Sequence, residues 1–310
     1  MPKKKYRLVT RSDFDGLICA VLLRELNLID KIKFVHPKDM QDGKIEINAN
    51  DITTNLPYVP EAYLVFDHHL SETIRIAGQR PDNHIIEPDA PSAARVVYNY
   101  YGGKKTFPNI SEEMILAVDK ADSAQFSREE ILFPKGWVLL NYIMDPRSGL
   151  GRFKQFRISN YELMMVLISY CKKHSIEEIL ELPDVKERVN LYIEHQKKSL
   201  AQIEKCSKIY KKVVILDLRQ EEEILTSNRF VIYALYPECN ISIHILWGLQ
   251  KQNTVLAVGK SIIDRSSKVN IGELMLKYGG GGHEKAGTCQ IPNEQANLIL
   301  QEIIQIINEE

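Results

Sequence analysis

The chain has 310 residues, 44% of them hydrophobic and 26% charged, with a formal net charge of −1 at pH 7. That length is more comfortable for two domains than for one core. The charge balance argues against a protein that coats long nucleic acid, and leaves a small or short anionic substrate bound by a local basic site. No stretch reaches the roughly 18–20 consecutive apolar residues of a membrane span, and the basic start is not followed by the apolar run of a signal peptide. Five cysteines, Cys19, Cys171, Cys206, Cys239 and Cys289, are widely spaced without a CxxC pair. They suit neither a disulfide framework nor a zinc site, and fit a reducing cytoplasm.

The first half alternates strand and helix signals, as a parallel sheet covered by helices does. Tyr6 to Thr10 reads as the opening strand, and Ile18, Val21, Leu22 and Leu26 then recur at helical spacing. Ile32 to Val35 is a second strand, and Ala62 to Phe66 a short, fully apolar one buried on both faces. From Glu112 the pattern turns helical, through Val118 and later Leu163 to Tyr170. Asp184 to Lys212, without glycine or proline, reads as one long helix that suits either a bridge between two domains or a homodimer contact. Beyond it Val213 to Leu218, Phe230 to Leu235 and Ile241 to Trp247 read as strands, and Gly272 to Tyr278 and Glu294 to Asn308 as helices.

Carboxylates and imidazoles cluster where these strands end. Asp13 and Asp15 follow the first strand two residues apart, with Gly16 allowing a tight bend; a helix cap is the competing role for either aspartate. Asp51 is placed after a second strand-like run. Asp67-His68-His69 leaves an apolar strand as three consecutive potential ligands, whose burial without partners would be costly. Asp122 closes a helical segment, with Asp119 as its rival. In an open parallel sheet, such residues meet at the carboxyl ends of the strands. Far downstream, Gly279 to Gly282 and His283 form a run whose backbone amides can converge on an anion. Ser261 and Arg265 extend that anion site or form a solvated turn. His84, His174 and His195 are expected on the surface.

In this order, Asp13-x-Asp15-Gly, Asp51, Asp67-His68-His69, Asp122-Ser123-Ala124-Gln125-Phe126 and Gly-Gly-Gly-Gly-His resemble the DHH phosphoesterase superfamily over nearly the whole chain. Ser92, in Pro-Ser-Ala-Ala, fits the same pattern as a helix start. The resemblance implies an α/β protein of two domains: a parallel-sheet domain over residues 1–188, a linker helix over 189–211, and a smaller α/β substrate-binding domain over 212–310. It implies two manganese ions held by Asp13, Asp15, Asp51, His68 and Asp122, with magnesium or cobalt also compatible. In that scheme Asp67 orients His68, and His69 touches substrate phosphate. Gly280, Gly281, Gly282 and His283 face the metals across a cleft. The activity implied is hydrolysis of phosphodiester or phosphoanhydride bonds by a metal-activated water. Its substrates would be short oligonucleotides, cyclic dinucleotides or polyphosphate, the last making the protein an exopolyphosphatase.

One position departs from the pattern. Where the family opens its first motif with a histidine ligand, this chain has Arg11, which stays protonated and cannot bind a metal. The expectation is then a single ion at rest, with Arg11 gripping substrate phosphate and His36 as a candidate replacement ligand, though more readily a surface residue before a turn proline. A nucleotide-binding regulatory protein with a degraded metal site is the alternative of another class.

Overall fold

The computed structural model describes residues 4–309 apart from Ala77, Arg80 and Lys154. It divides into two compact units, Met1–Gln125 with Lys135–Asn190, and Phe126–Pro134 with Leu191–Glu310.

The first unit is built on five parallel strands, β1 (Tyr6–Arg11), β2 (Ile29–Val35), β3 (Asp51–Thr54), β4 (Leu64–Asp67) and β5 (His84–Ile86), in the order β2-β1-β3-β4-β5. Strand order reverses beside β1, whose sequence neighbour β2 lies on one side and β3 on the other. Open sheets of this kind gather ligands at the carboxyl ends around that reversal. Register fixes what meets there. Thr10 pairs with Thr54 and Thr54 with Phe66, so Arg11, Asn55 and Asp67 emerge side by side, one residue further on.

Helix α1 (Phe14–Glu25) is buried continuously from Phe14 to Leu23. A helix that is apolar all round must be covered all round. Here α2 (Ala93–Tyr100), α3 (Glu112–Asp122) and α4 (Asn160–Tyr170) pack against it. At its start, a Cβ on Gly16 would lie 2.0 Å from the Arg11 carbonyl oxygen. The glycine is therefore demanded by close approach of helix to strand, rather than by the tight bend expected from sequence.

Helix α5 (Pro183–Cys206) leads into a six-stranded sheet of β6 (Ser207–Tyr210), β7 (Val213–Asp217), β8 (Ile241–Trp247), β9 (Thr254–Lys260), β10 (Gly281–His283) and β11 (Ala286–Ile291), ordered β10-β11-β9-β8-β7-β6. Only β7 and β8 pair in parallel. Ile241, Ile243 and Ile245 form the expected apolar face of β8. They pack in one core with Leu256, Ile271, Met275, Ile303 and Ile307.

Three expectations need correction. The long helix stops at Cys206 instead of reaching Lys212: Ser207–Tyr210 pair with Val213–Leu216 as β6, and Lys211, at a left-handed φ of 55°, makes the turn of that β6–β7 hairpin. No glycine or asparagine marks that turn. Phe230 to Leu235 is not a strand but contains α6 (Val231–Leu235), set off by the Asn228 side chain accepting from the Phe230 amide at 3.0 Å. A short apolar run does not by itself tell a buried strand from a buried helix. His84 and His195 are buried: His84 stacks on Tyr58 at 4.6 Å between centroids, and His195 Nδ1 accepts from the Thr226 amide at 3.3 Å. Both belong to cores, whereas His174 does lie at the surface beside Glu178.

Gly16→Ala is expected to destabilise the protein by about 1–3 kcal/mol through this backbone clash. Denaturant melts check it; an unchanged midpoint would show that α1 need not seat so closely on β1.

Candidate metal centre

Asp13 plays the competing role raised for it: it is the N-cap of α1, accepting from the Gly16 amide at 3.0 Å. Its second oxygen lies 2.9 Å from Arg11 Nε. Burial raises the Asp13 pKa above the usual carboxylate range, against the pull of Arg11. Asp15, in the first turn of the same helix, is buried, and its two oxygens accept from the Ala93 and Ala94 amides at 3.0 and 2.8 Å. These donors are the free N–H groups at the start of α2, a natural anion site. They do not suffice: burial and the neighbouring Asp122 charge push Asp15 up to about 8.

The Asp67-His68-His69 segment leaves β4 with each side chain differently engaged. Asp67 is fully buried, and its Oδ1 accepts from the His68 amide at 2.8 Å and sits 2.7 Å from His69 Nδ1. Asp67 thus holds the ring of His69, while the ring expected to depend on it, His68, is held by the Ala90 carbonyl, 3.1 Å from Nδ1. His69 keeps a side-chain exposure of 42%. The Ala90 loop also borders a shallow cavity of about 540 Å³ lined by Glu87, Asp89, Arg95 and Asn99.

Asp122, the last residue of α3, is the aspartate that reaches this site. Its Oδ2 lies 2.9 Å from His68 Nε2. Asp119 is turned elsewhere, bonded to Ser92 Oγ at 2.7 Å and to Arg95 Nε at 2.9 Å. Ser92 is, as expected, a helix start, capping α2 through the Arg95 amide.

Asp15, His68 and Asp122 offer ligand atoms all within 4.8 Å of one another. Two carboxylates and an imidazole make a donor set for a divalent cation. The His68 ring supports this directly. His68 Nδ1 faces the Ala90 carbonyl, which leaves Nε2 as the nitrogen a metal would take once its proton is displaced; despite its closeness to Asp122 the two make no hydrogen bond of proper geometry, leaving Nε2 buried and unsatisfied. Burial depresses the His68 pKa, yet Asp122, Asp15 and Asp67 outweigh it and lift it to about 9. Burial likewise raises Asp122, but His68 holds it below its ordinary value.

Asp51 is not part of this cluster. It opens β3 rather than following a strand, in register with Arg7 at the opposite edge of the sheet. Three residues at ~3.3 Å rise separate it from the end of β3, roughly 10 Å. Its 1%-exposed carboxylate is occupied by a two-pronged contact with Arg7, at 2.7 and 2.8 Å, and by the Asn48 amide. The residue that does leave β3 at the site is Asn55, buried, with φ 55° and its Nδ2 3.5 Å from Asp13. A neutral amide carries no ligand signal in the sequence, so nothing there marks Asn55. His36 is no ligand either: its Nδ1 accepts from the Lys38 amide as a helix cap.

In the second unit, Gly281–His283 forms β10, the edge strand of its sheet, paired to β11. Gly280 and Gly282 are sterically required, since a Cβ on either would come 2.3 Å from a β11 carbonyl oxygen. Gly281 meets no such limit. His283 lies exposed at the hairpin end, its Nδ1 accepting from the Lys285 amide at 3.3 Å. Ser261 Oγ accepts from the Ile263 and Asp264 amides, and Arg265 Nε donates to the Ile262 carbonyl. Both shape the turn after β9.

Residues 229–309 match the family model described as the DHHA1 domain. The whole chain is similar to the solved pGpG-specific phosphodiesterase PggH from Vibrio cholerae: 62% identity, coverage of 98% of this chain and 99% of that one, and a TM-score of 0.88. The chain belongs to the DHH phosphoesterase superfamily. More distant members of the fold include RecJ in complex with Mn2+ from Thermus thermophilus, at 14% identity and TM-score 0.54 over 99% of this chain and 53% of that one. CDC45 from Entamoeba histolytica shows 8% identity and TM-score 0.53 over 99% and 96%. No curated protein matches. As a DHH protein, the chain is a metal-dependent phosphoesterase. Among the described residues no helix is long and apolar enough to cross a membrane.

Proton release follows from the pKa directions. Near neutral pH the metal-free protein retains protons on Asp15, at about 8, and on His68, at about 9, which a bound cation must displace. Affinity for Mn2+ should therefore climb from pH 6 toward pH 9, with protons released on binding. Titration calorimetry in buffers of different ionisation enthalpy measures this; binding independent of pH would exclude these ligands. Asp122→Ala should weaken Mn2+ binding beyond the roughly 10–100-fold typical of outer partners, while Asp51→Asn keeps it intact and costs only stability. Loss of metal in Asp51→Asn would reverse the assignment.

Proposed function

We propose that this protein is a manganese-dependent phosphodiesterase that hydrolyses the linear dinucleotide pGpG. The observation that carries the reading is the Asp15–His68–Asp122 cluster at the sheet reversal, within a chain 62% identical along its length to a pGpG-specific enzyme. Oxygen-rich ligation with one imidazole suits manganese. When bound, the ion supplies a Lewis acid for a phosphoryl oxygen and lowers the pKa of water to the neutral range.

The chain's own residues supply the rest. Asp15 and Asp122 collect negative charge on one side of His68, and Ala90 fixes the ring so that Nε2 faces them. His69 is held through Nδ1 by Asp67, which raises its pKa against the lowering effect of burial. Its Nε2 is then placed to hold a proton for a substrate oxygen. As water attacks phosphorus, the ester oxygen leaves with that proton, and the products are two molecules of GMP. In the second unit, the Gly281–His283 edge strand provides peptide N–H groups and an imidazole for a terminal phosphate. Residues 1–188 and 212–310 are accordingly assigned to catalysis and substrate binding, with 189–211 between them.

Incubation with Mn2+ and pGpG, read by chromatography, should yield GMP, with pGpG consumed faster than a cyclic dinucleotide or polyphosphate. His68→Ala should reduce turnover by at least about 1,000-fold, the scale of a group acting directly at the reacting centre. Intact pGpG after incubation with folded, metal-loaded protein would refute the substrate assignment. His283→Ala should raise KM roughly tenfold, one charge-assisted hydrogen bond, without changing metal content. A parallel loss of metal would move His283 into the metal centre.

A further inference from the structure

We propose that the site holds one divalent ion, and that the Arg11 guanidinium, anchored on Asp13, is its second positive centre and grips the substrate phosphate. A paired-ion site needs a second set of anionic ligands, and the residues that would form it are spent or neutral. Asp51 is locked to Arg7 at the far edge of the sheet. At the near edge β3 delivers Asn55, an uncharged amide. Asp13 is the remaining carboxylate beside the cluster, and Arg11 Nε already stands 2.9 Å from it.

The charges agree with this count. Arg11, Asp13, Asp15 and Asp122 carry one positive charge against three negative, which a single divalent ion neutralises. Asp67 is left out of the count because its Oδ1 is paired with His69, 2.7 Å from Nδ1, and accepts from two backbone amides, while its buried Oδ2 has no hydrogen-bond partner. A second dication at this place would meet a guanidinium in direct repulsion. Arg11 is anchored through Nε and a third exposed, which leaves its terminal nitrogens for a bidentate contact with phosphate. A fixed guanidinium thereby does for the substrate what a second cation would do.

The ion count stands independently of the substrate, while the role given to Arg11 rests on the phosphodiesterase reading. Equilibrium dialysis of the full chain against Mn2+, with bound metal measured by mass spectrometry, should give one ion per chain. The electron paramagnetic resonance spectrum should be that of isolated Mn(II), without exchange coupling. Arg11→Ala should keep this stoichiometry and melting behaviour while raising KM for pGpG about tenfold or more, the value of a charge-assisted bidentate contact; Arg11→Lys should recover part of it. Two ions with a coupled spectrum, or no ion, would overturn the proposal, as would an unchanged KM in Arg11→Ala. A protein that binds one ion and leaves pGpG intact would sink the substrate reading but not the ion count.

Discussion

Everything at this site depends on a buried carboxylate. Asp15 sits in the first turn of α1 and faces the first turn of α2, so two helix starts converge on one charge. Two amides and two helix dipoles favour the anion, yet loss of water and the nearby Asp122 oppose it more strongly, and the balance leaves Asp15 raised to about 8. A fold that assembles its anions in this way is poised for a cation. The same logic covers His68, whose unsatisfied Nε2 faces those carboxylates.

Sheet register makes the assembly possible. Because Thr10, Thr54 and Phe66 lie in one row, the residues after β1, β3 and β4 emerge together, and α3 brings Asp122 to the same edge. Gly16 lets α1 start directly against Arg11. One residue of slippage in β3 would exchange the site residue Asn55 for a neighbour. The Arg7–Asp51 pair at the other edge helps fix that register, tying β1 to β3 through two short contacts.

The parts of this arrangement that sequence makes legible are those with strong local signals. Asp13-x-Asp15, Asp67-His68-His69 and Asp122 follow apolar strands or close a helix, and the alternation in Ile241 to Trp247 shows its buried face directly. Asp51 misled because its chemical type fits a ligand while its position depends on where a four-residue strand begins, which pairing decides. Asn55 was silent for the opposite reason: a neutral residue in a decisive place. The Lys211 turn lacked a glycine, and α6 lacked any period long enough to distinguish helix from strand. The glycine run was legible as a special backbone, but only the structure separates Gly280 and Gly282, which packing demands, from Gly281, which it does not.

Asp15, His68 and Asp122 are the proposed metal centre. Anomalous diffraction from crystals of the protein grown with Mn2+ tests it most directly. One strong peak is expected within bonding distance of those three side chains, with Arg11 and Asp51 in their present pairings. A peak coordinated elsewhere, or a second one held by Asp13 with Arg11 displaced, would contradict it.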